Sequence, residues 1–594
     1  MAEKSAASTF PSADAAPSGA DAVPDARGLN LYRADPMLAR LMPLYLPAAL
    51  CAHLAPYCDR LGALAGGRLD ELAAEADRHP PRMHPRTSTG EDRESIEKHP
   101  SYREMERIAF GEFGLAAMSH RAGVFGWPTP LPPAAKYVLT YLFAQAEFGL
   151  LCPVSMTDSL TRTLRKFGDP ALVEHYLPRL LSQDIETLAQ GAMFMTEQGA
   201  GSDVGATAVH AVAKNNGSWQ LFGDKWFCSN ADAALAMVLA RPEGAAAGTK
   251  GLSLFLLPRL RGDGTPNAYR IVRLKDKLGT RDMASGEIRL EGAEAFLVGE
   301  PGAGFRQMTD MINNSRLSNG VRAAGMMRRA MTEALFVAHH CRAFGRRLIE
   351  LPLMRRQLLK ILVPTEQARS MMFTTAEALA RADAGEAEAY ALLRILTPLI
   401  KFRACRDARR VTGDAMEVRG GAGYIEEWPE PRLVRDAHLG SIWEGTSNIV
   451  ALDVMRAARR EGALTALRRH ITAQVARSGM TALLPPLAGA IRLAEQAMAP
   501  SGAHLARRAA GALYHLASAS AFACEAAELG ETSRQTLADL VLRHRVLPQD
   551  PLAETEDDTE SAAMAALLPN PATLAHATFA PTLSCPPFRD CATQ

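Results

Sequence analysis

No apolar run in this 594-residue chain is long enough to cross a bilayer. The most apolar stretch, Tyr137 to Met156, is interrupted by Gln145, Glu147 and Pro153, so it reads as buried helix and predicts no membrane association. Cysteine is sparse. The nine that occur are scattered, with neither a Cys-x-x-Cys pair nor metal-cage spacing, which predicts reduced thiols in a cytoplasmic protein and no metal site. Excess charge of either sign is missing as well: a net charge of +1 excludes strong steering of anions by the whole molecule, so any anion-binding surface is local. The N-terminal stretch lacks the apolar core of a secretory signal, and Asp14, Asp21 and Asp25 argue against a transit peptide. No tandem repeat and no base-reading motif such as a zinc finger is present. What remains is an ordinary globular composition, 47% hydrophobic and 22% charged, on a chain too long for one core.

Periodicity divides the chain into six parts. Residues 1–35, rich in Ala, Ser, Pro and Asp, read as a disordered tail. Residues 36–190 carry apolar positions at three- and four-residue spacing, interrupted by proline and glycine, and predict a helical domain. Over 191–304 the period falls to two. Thr207, Val209 and Ala211 alternate, Asn215-Asn216-Gly217 is a turn signal, and short apolar runs follow at Leu235–Ala240, Leu252–Leu257 and Glu287–Leu290. This predicts a small β-barrel or sandwich between helical regions. Long helices return over Phe305–His340, Pro352–Ala382 and Ala387–Glu417, so 305–455 reads as a helical bundle. A further helical module over 456–549 and an acidic, Pro/Ala-rich tail over 550–594 complete an α+β architecture.

Three stretches carry candidate chemistry. Met195-Thr196-Glu197-Gln198-Gly199-Ala200-Gly201-Ser202-Asp203 places glycines beside hydroxyls, which suits backbone N–H donors presented to a flat heterocycle or a phosphate. Its glycine spacing is not Gly-x-Gly-x-x-Gly and it leads into a strand, so a flavin here binds outside a Rossmann fold. Lys225-Trp226-Phe227-Cys228-Ser229-Asn230 follows. The third stretch, Glu417 to Ile449, joins the glycine turn Gly420-Gly421-Ala422-Gly423 to Ser441-Ile442-Trp443-Glu444-Gly445-Thr446-Ser447-Asn448. Gly445 clears side-chain bulk beside a carboxylate. On spacing alone, Glu444 can equally serve a helix dipole, because a helical pattern begins near Asn448.

Read together, these motifs resemble those of the acyl-CoA dehydrogenases, and Leu274-Lys275-Asp276-Lys277-Leu278-Gly279-Thr280-Arg281-Asp282-Met283-Ala284-Ser285 resembles the alkylation adaptive-response, AidB-type branch. The resemblance implies the family's helical, β, helical fold with an extra C-terminal helical module. It also implies FAD as cofactor and Glu444 as the base that takes the α-proton of an acyl-CoA thioester. By the same resemblance, Met195, Thr196, Gly201, Ser202, Phe227, Cys228, Ser229, Gly420, Gly421, Trp443, Gly445, Thr446 and Asn448 contact the cofactor. Ser202 and Arg316 contact substrate, and an apolar neighbour such as Trp443 raises the pKa of the base. The resemblance also implies a homotetramer, with an electron-transfer flavoprotein or another acceptor taking up the electrons. One departure concerns Cys341-Arg342-Ala343-Phe344-Gly345: Arg342 stands one position later than the family's pyrophosphate-binding arginine, a rotation of about 100° if the segment is helical.

A different reading comes from the C-terminal module, where arginines outnumber acids about two to one over 456–549. Arg456, Arg459 and Arg460 share a helical face by spacing. In the AidB-type branch this extension binds duplex DNA, which makes a phosphate-dominated, salt-sensitive DNA partner the alternative to an enzyme of thioester metabolism.

Overall fold

The computed structural model describes residues 23–548 and 558–568. Seven helices build the first region: α1 (Pro36–Tyr45), α2 (Ala48–Gly66), α3 (Arg68–Arg78), α4 (Pro100–Glu106), α5 (Pro133–Phe143), α6 (Leu151–Phe167) and α7 (Pro170–Leu180). Between α3 and α4 lies a hairpin absent from the helical expectation, β1 (Arg82–Arg86) with β2 (Asp92–Glu97). The stretch read as one buried helix is two, α5 and α6, because the chain turns over residues 144–150.

The β domain begins and ends where the period changes. Its strands are β3 (Gly191–Phe194), β4 (His210–Ala213), β5 (Trp219–Ser229), β6 (Leu235–Pro242), β7 (Ser253–Pro258), β8 (Tyr269–Leu274) and β9 (Ser285–Val298). β6 pairs with β4 and with β7, which closes β4, β5, β9, β7 and β6 into a barrel with β3 and β8 alongside. Its interior holds Phe194, Leu221, Cys228, Val238, Phe255 and Ile288.

Three long helices follow: α8 (Gly304–His340), α9 (Pro352–Asp383) and α10 (Ala387–Arg419). Pro352 opens α9 in its first turn, and Gly420, at φ +69°, ends α10 where a side chain would strain the backbone. Between α8 and α9 the chain forms a two-residue hairpin, β10 (Arg342–Ala343) with β11 (Arg346–Arg347). The bundle continues through α11 (Pro429–Gly440) and α12 (Ser447–Arg460) into α13 (Ala463–Ser478), α14 (Leu484–Met498), α15 (Ala506–Leu529) and α16 (Thr532–Val541). α15 packs against α9, α10 and α12, so the C-terminal helices extend the bundle's own core.

Two tail expectations need correction. Residues 1–22, 549–557 and 569–594 lie outside the described residues, but Ala26, Leu31, Ala34 and Asp35 are buried, and Arg369 holds Asp35 at 2.5 Å. Apolar residues at 26, 31 and 34 give that segment enough surface to bury. Within the C-terminal tail, α17 (Asp558–Leu567) docks on α9, where Arg355 Nη2 donates to Met564 O at 2.7 Å. The alanine-rich composition there is helix-forming.

Candidate functional site

The site lies where the outer face of the barrel meets α6, α8 and the loop before α12. Lys225 starts it from below. Its ammonium group is fully buried and donates to Glu197 Oε1 at 2.7 Å, Met195 O at 3.2 Å and Leu239 O at 2.9 Å. Glu197 also accepts from the backbone N–H groups of Ala208 and Val209. The Met195–Ser202 motif is thereby fixed to β5, and Trp226 N donates to Thr196 O at 2.9 Å.

Between Lys225 and Cys228 the register with β9 slips. Such a bulge turns two consecutive side chains out of the pleat. Phe227 accordingly stands 58% exposed at the barrel surface, and Trp226 lies under Lys275 Nζ, 3.5 Å from its ring centre. Nothing occupies the space where a Cβ on Gly199 or Gly201 would lie, and Ser202 is exposed. An uncovered aromatic face, the Ser229 hydroxyl and an open glycine turn fit a flat ring with a polar edge, so the residues present suit a flavin. Cys228 is placed otherwise than a side-chain contact requires. Its thiol points into the barrel core, where burial pushes its pKa up, so only its backbone faces the site.

Glu444 faces this platform from the bundle side. Its φ of +56° is left-handed, a conformation that costs a non-glycine residue of order 1–3 kcal/mol and persists only where surroundings impose it. Here they do. Arg316 Nε donates to Glu444 O at 3.0 Å, Lys401 Nζ donates to Gly445 O, and Arg316 Nη1 is anchored by Asp453 Oδ2 at 2.6 Å. Gly445, at φ +99°, has Ile449, Val450 and Arg316 crowding the position of any Cβ. Ser315 Oγ donates to Glu444 Oε1 at 2.9 Å, while Oε2 is shut off from solvent without a partner. The carboxyl bonds α8 and not the start of α12, so its setting is not that of a helix-dipole partner. Burial raises its pKa above the ordinary carboxylate value, offset in part by Ser315, Arg316 and Lys401.

Arg316 is therefore buried beneath the loop, with its donors spent on Glu444, Asp453 and Asn313. These bonds hold the loop before α12, whereas the resemblance placed Arg316 against substrate. Trp443 stacks on Phe148 with ring centres 5.6 Å apart. The Cys152 thiol, at the start of α6, lies near Ser229 and in the field of Arg322 and Glu444, which brings the two halves of the site together.

The remaining expected residues are scattered around this centre. Thr446 and Asn448 are exposed, and Arg507 from α15 reaches Asn448 Oδ1 at 3.4 Å. Gly420 and Gly421 form an open turn next to the 79% exposed Tyr424. Arg342 is exposed in the β10–β11 hairpin, so the helical rotation argument does not apply. In a strand, a one-residue shift moves the side chain to the opposite face. Arg456, Arg459 and Arg460 are exposed on the last turns of α12. The Leu274–Ser285 stretch forms a seam: Thr280 N donates to Asp436 Oδ1 at 2.6 Å, and burial lifts the Asp436 carboxyl to about 7.

Sequence reasoning missed Ser315, Lys401 and Arg322. Lys401 carries a readable signal, a lone charge within Ile395-Leu396-Thr397-Pro398-Leu399-Ile400-Lys401-Phe402. Ser315 and Arg322 carry none, since polar residues abound on α8.

Comparison with known proteins identifies the domains and the fold. Residues 21–187 match the model for the adaptive response protein AidB N-terminal domain, 192–293 the acyl-CoA dehydrogenase middle domain, and 302–459 the acyl-CoA dehydrogenase C-terminal domain. The chain is 35% identical over 444 residues to the putative acyl-CoA dehydrogenase AidB of Escherichia coli K12, covering 73% of this chain and 78% of that one. It is 31% identical over 454 residues to acyl-CoA dehydrogenase family member 11 of Caenorhabditis elegans, covering 74% and 73% respectively. The crystal structure of Caenorhabditis elegans ACDH-11 in complex with C11-CoA superposes with a TM-score of 0.83 at 26% identity, covering 90% of this chain and 94% of that one. Among the described residues no helix is long and apolar enough to cross a membrane.

Proposed function

We propose that this chain, which belongs to the acyl-CoA dehydrogenase family through its AidB-type branch, binds FAD between barrel and bundle and oxidises an acyl-CoA thioester with Glu444 as base. The observation that carries this reading is the carboxyl of Glu444: one oxygen is held by Ser315, and the other is buried, unpaired and set beside the Ser229–Cys152 junction. Phe227, Ser229 and the Met195–Ser202 turn would hold the cofactor. When bound, FAD supplies the two-electron acceptor for the β-hydrogen and its bonding pair.

The chain's own residues do the rest. Glu444 Oε2 takes the α-proton as the α C–H bond breaks, and that electron pair becomes the second bond of the new carbon–carbon double bond. The backbone N–H of Glu444 is the donor assigned to the thioester oxygen, where negative charge develops. Arg316 and Lys401 fix the loop that carries both groups, so the base does not have to be ordered during reaction. The purified protein should be yellow, and anaerobic addition of a panel of acyl-CoA thioesters should bleach its flavin absorbance. A colourless protein that takes up no FAD, or a flavoprotein that no thioester bleaches, overturns the reading.

A second reading is supported by the exposure of Arg456, Arg459 and Arg460, of which, among the described residues, only Arg456 is within ion-pair distance of an acid, Asp453, itself held by Arg316. Duplex DNA bound there would contact phosphate and little else. Replacing Arg456, Arg459 and Arg460 by Gln should lower duplex affinity and flatten its dependence on salt by about 2–3 units of the logarithmic slope. An unchanged slope makes the face ordinary solvated surface.

A further inference from the structure

Ten arginines are buried among the described residues, and nine of them have a carboxylate within ion-pair distance, from Arg316 with Asp453 to Arg534 with Glu525. Arg322 is the exception. It is 1% exposed; its guanidinium donates to Ser318 O at 3.4 Å and Asn319 Oδ1 at 3.0 Å and lies beside the Cys152 thiol in the field of Glu444, outside ion-pair distance, while Nη1 is buried without a hydrogen-bond partner. Its carbon lies 5.1 Å from the ring centre of Phe148 and 4.8 Å from that of Trp443. Cation–π contact of this kind offsets only part of the desolvation penalty of a buried ion without a salt-bridge partner. The deficit calls for an anion.

The neighbours make the same demand. Asn319 Nδ2 and Trp443 Nε1 are also buried donors without acceptors, the first on the residue that Arg322 bonds and the second on the ring it covers. Three buried donor atoms on neighbouring side chains of two elements thus have no acceptor among the described residues. Their position relative to the base follows from helix geometry. Ser315, Asn319 and Arg322 stand at i, i+4 and i+7 on one face of α8, and Ser315 holds Glu444. Helical side chains lean toward the N-terminus, which brings the Arg322 head group back beside Ser318 and Asn319, about one turn or 5 Å along the axis from Ser315.

We infer that Arg322, Asn319 and Trp443 form a subsite for a carboxylate at the far end of a short acyl chain, so that the substrate class is a CoA monothioester of a dicarboxylic acid. A span of about one helical turn suits chains of about four to six carbons. This rests on the proposed thioester-oxidising function and adds the identity of the acyl group to it. The same donors would turn away a plain alkyl end, because burying them against methylene leaves each unpaired.

The test uses the FAD-loaded protein and two series of probes under anaerobic conditions: the CoA monothioesters of succinate, glutarate and adipate, and the length-matched saturated monocarboxylic thioesters. Binding is read by titration calorimetry and by perturbation of the flavin spectrum. The dicarboxylic series should bind at least ten-fold more tightly than its matched partners in the wild-type protein. Arg322→Leu should abolish that preference, and Arg322→Lys should restore part of it. The inference is overturned by equal binding of the two series, a test that needs no variant, or by a preference that survives Arg322→Leu. It also fails if Arg322→Leu loses FAD while acyl preference persists, since the guanidinium then serves the cofactor. Binding of plain thioesters alone leaves the proposed function standing, whereas binding of neither series removes both.

Discussion

Glu444→Gln is expected to leave the protein yellow and folded while slowing anaerobic bleaching by its best thioester about 10²–10⁴-fold, the range for removal of a positioned general base. The amide keeps the oxygen that accepts from Ser315, so the loop and its left-handed turn should survive. Thioester affinity should therefore change far less than the rate, a split that stopped-flow bleaching and calorimetry measure separately. The wild-type rate should also rise with pH along a limb above the ordinary carboxylate range. Burial raises the pKa of Glu444, and only its ionised form accepts the proton. Unchanged bleaching in Glu444→Gln, or a rate limb at the pKa of a solvated glutamate, would remove this carboxyl from the base role.

The contributions that put Glu444 in place differ in how legible they are. The large-scale architecture is written in periodicity. The switch from helical spacing to alternation after residue 190 coincides with β3, and Pro352, Gly420 and the Asn215-Asn216-Gly217 turn all stand where local backbone chemistry puts them. Such signals are local, and each residue's own φ preference carries them. The bulge that exposes Phe227 is not local. It depends on how β5 registers against β9 some sixty residues later, and no residue within Trp226–Phe227 encodes it. The hold on Glu444 is likewise assembled from α8, α10 and α12, which come together only after the bundle packs. Arg316 illustrates the difficulty. On a helix wheel it is one more polar residue among many, and its burial follows from α8 being the central helix of the bundle, surrounded on every side.

The same distinction accounts for the misread tail. Residues 23–35 look too polar to order themselves, and on their own they are. Asp35, however, meets Arg369 from α9 and Tyr141 from α5, and Arg369 shares Glu366 with Arg534 from α16. One buried network of alternating charge thus ties the N-terminal segment, the bundle and the C-terminal helices together. Composition could not reveal it, because Asp35 lies 334 residues from Arg369 and Glu366 lies 168 from Arg534. Charges buried in this manner are held less for net stability than by the cost of leaving any one of them alone.

That asymmetry sets the expectation for Lys225→Met, the substitution predicted to damage the fold most. Lys225 and Glu197 are buried together, and burial already presses the lysine pKa downward against the support of its partner. Removing the ammonium strands a carboxylate whose other bonds come only from Ala208 and Val209 N–H groups, at a cost of about 3–5 kcal/mol. It also frees Met195 O and Leu239 O, so the loss falls on the strands that carry the Met195–Ser202 turn. Hydrogen exchange of the β3 and β6 amides should report that drop locally, and FAD should dissociate more readily, since Thr196 is held to Trp226 through the same strand. Adding Glu197→Gln should recover a good part of the loss, because the second change discharges the stranded acid. Exchange protection within about 1 kcal/mol of wild type in the single variant, or no recovery in the double, would mean that the ion pair does not hold the cofactor-facing edge of the barrel, and that the turn keeps its shape by backbone pairing alone.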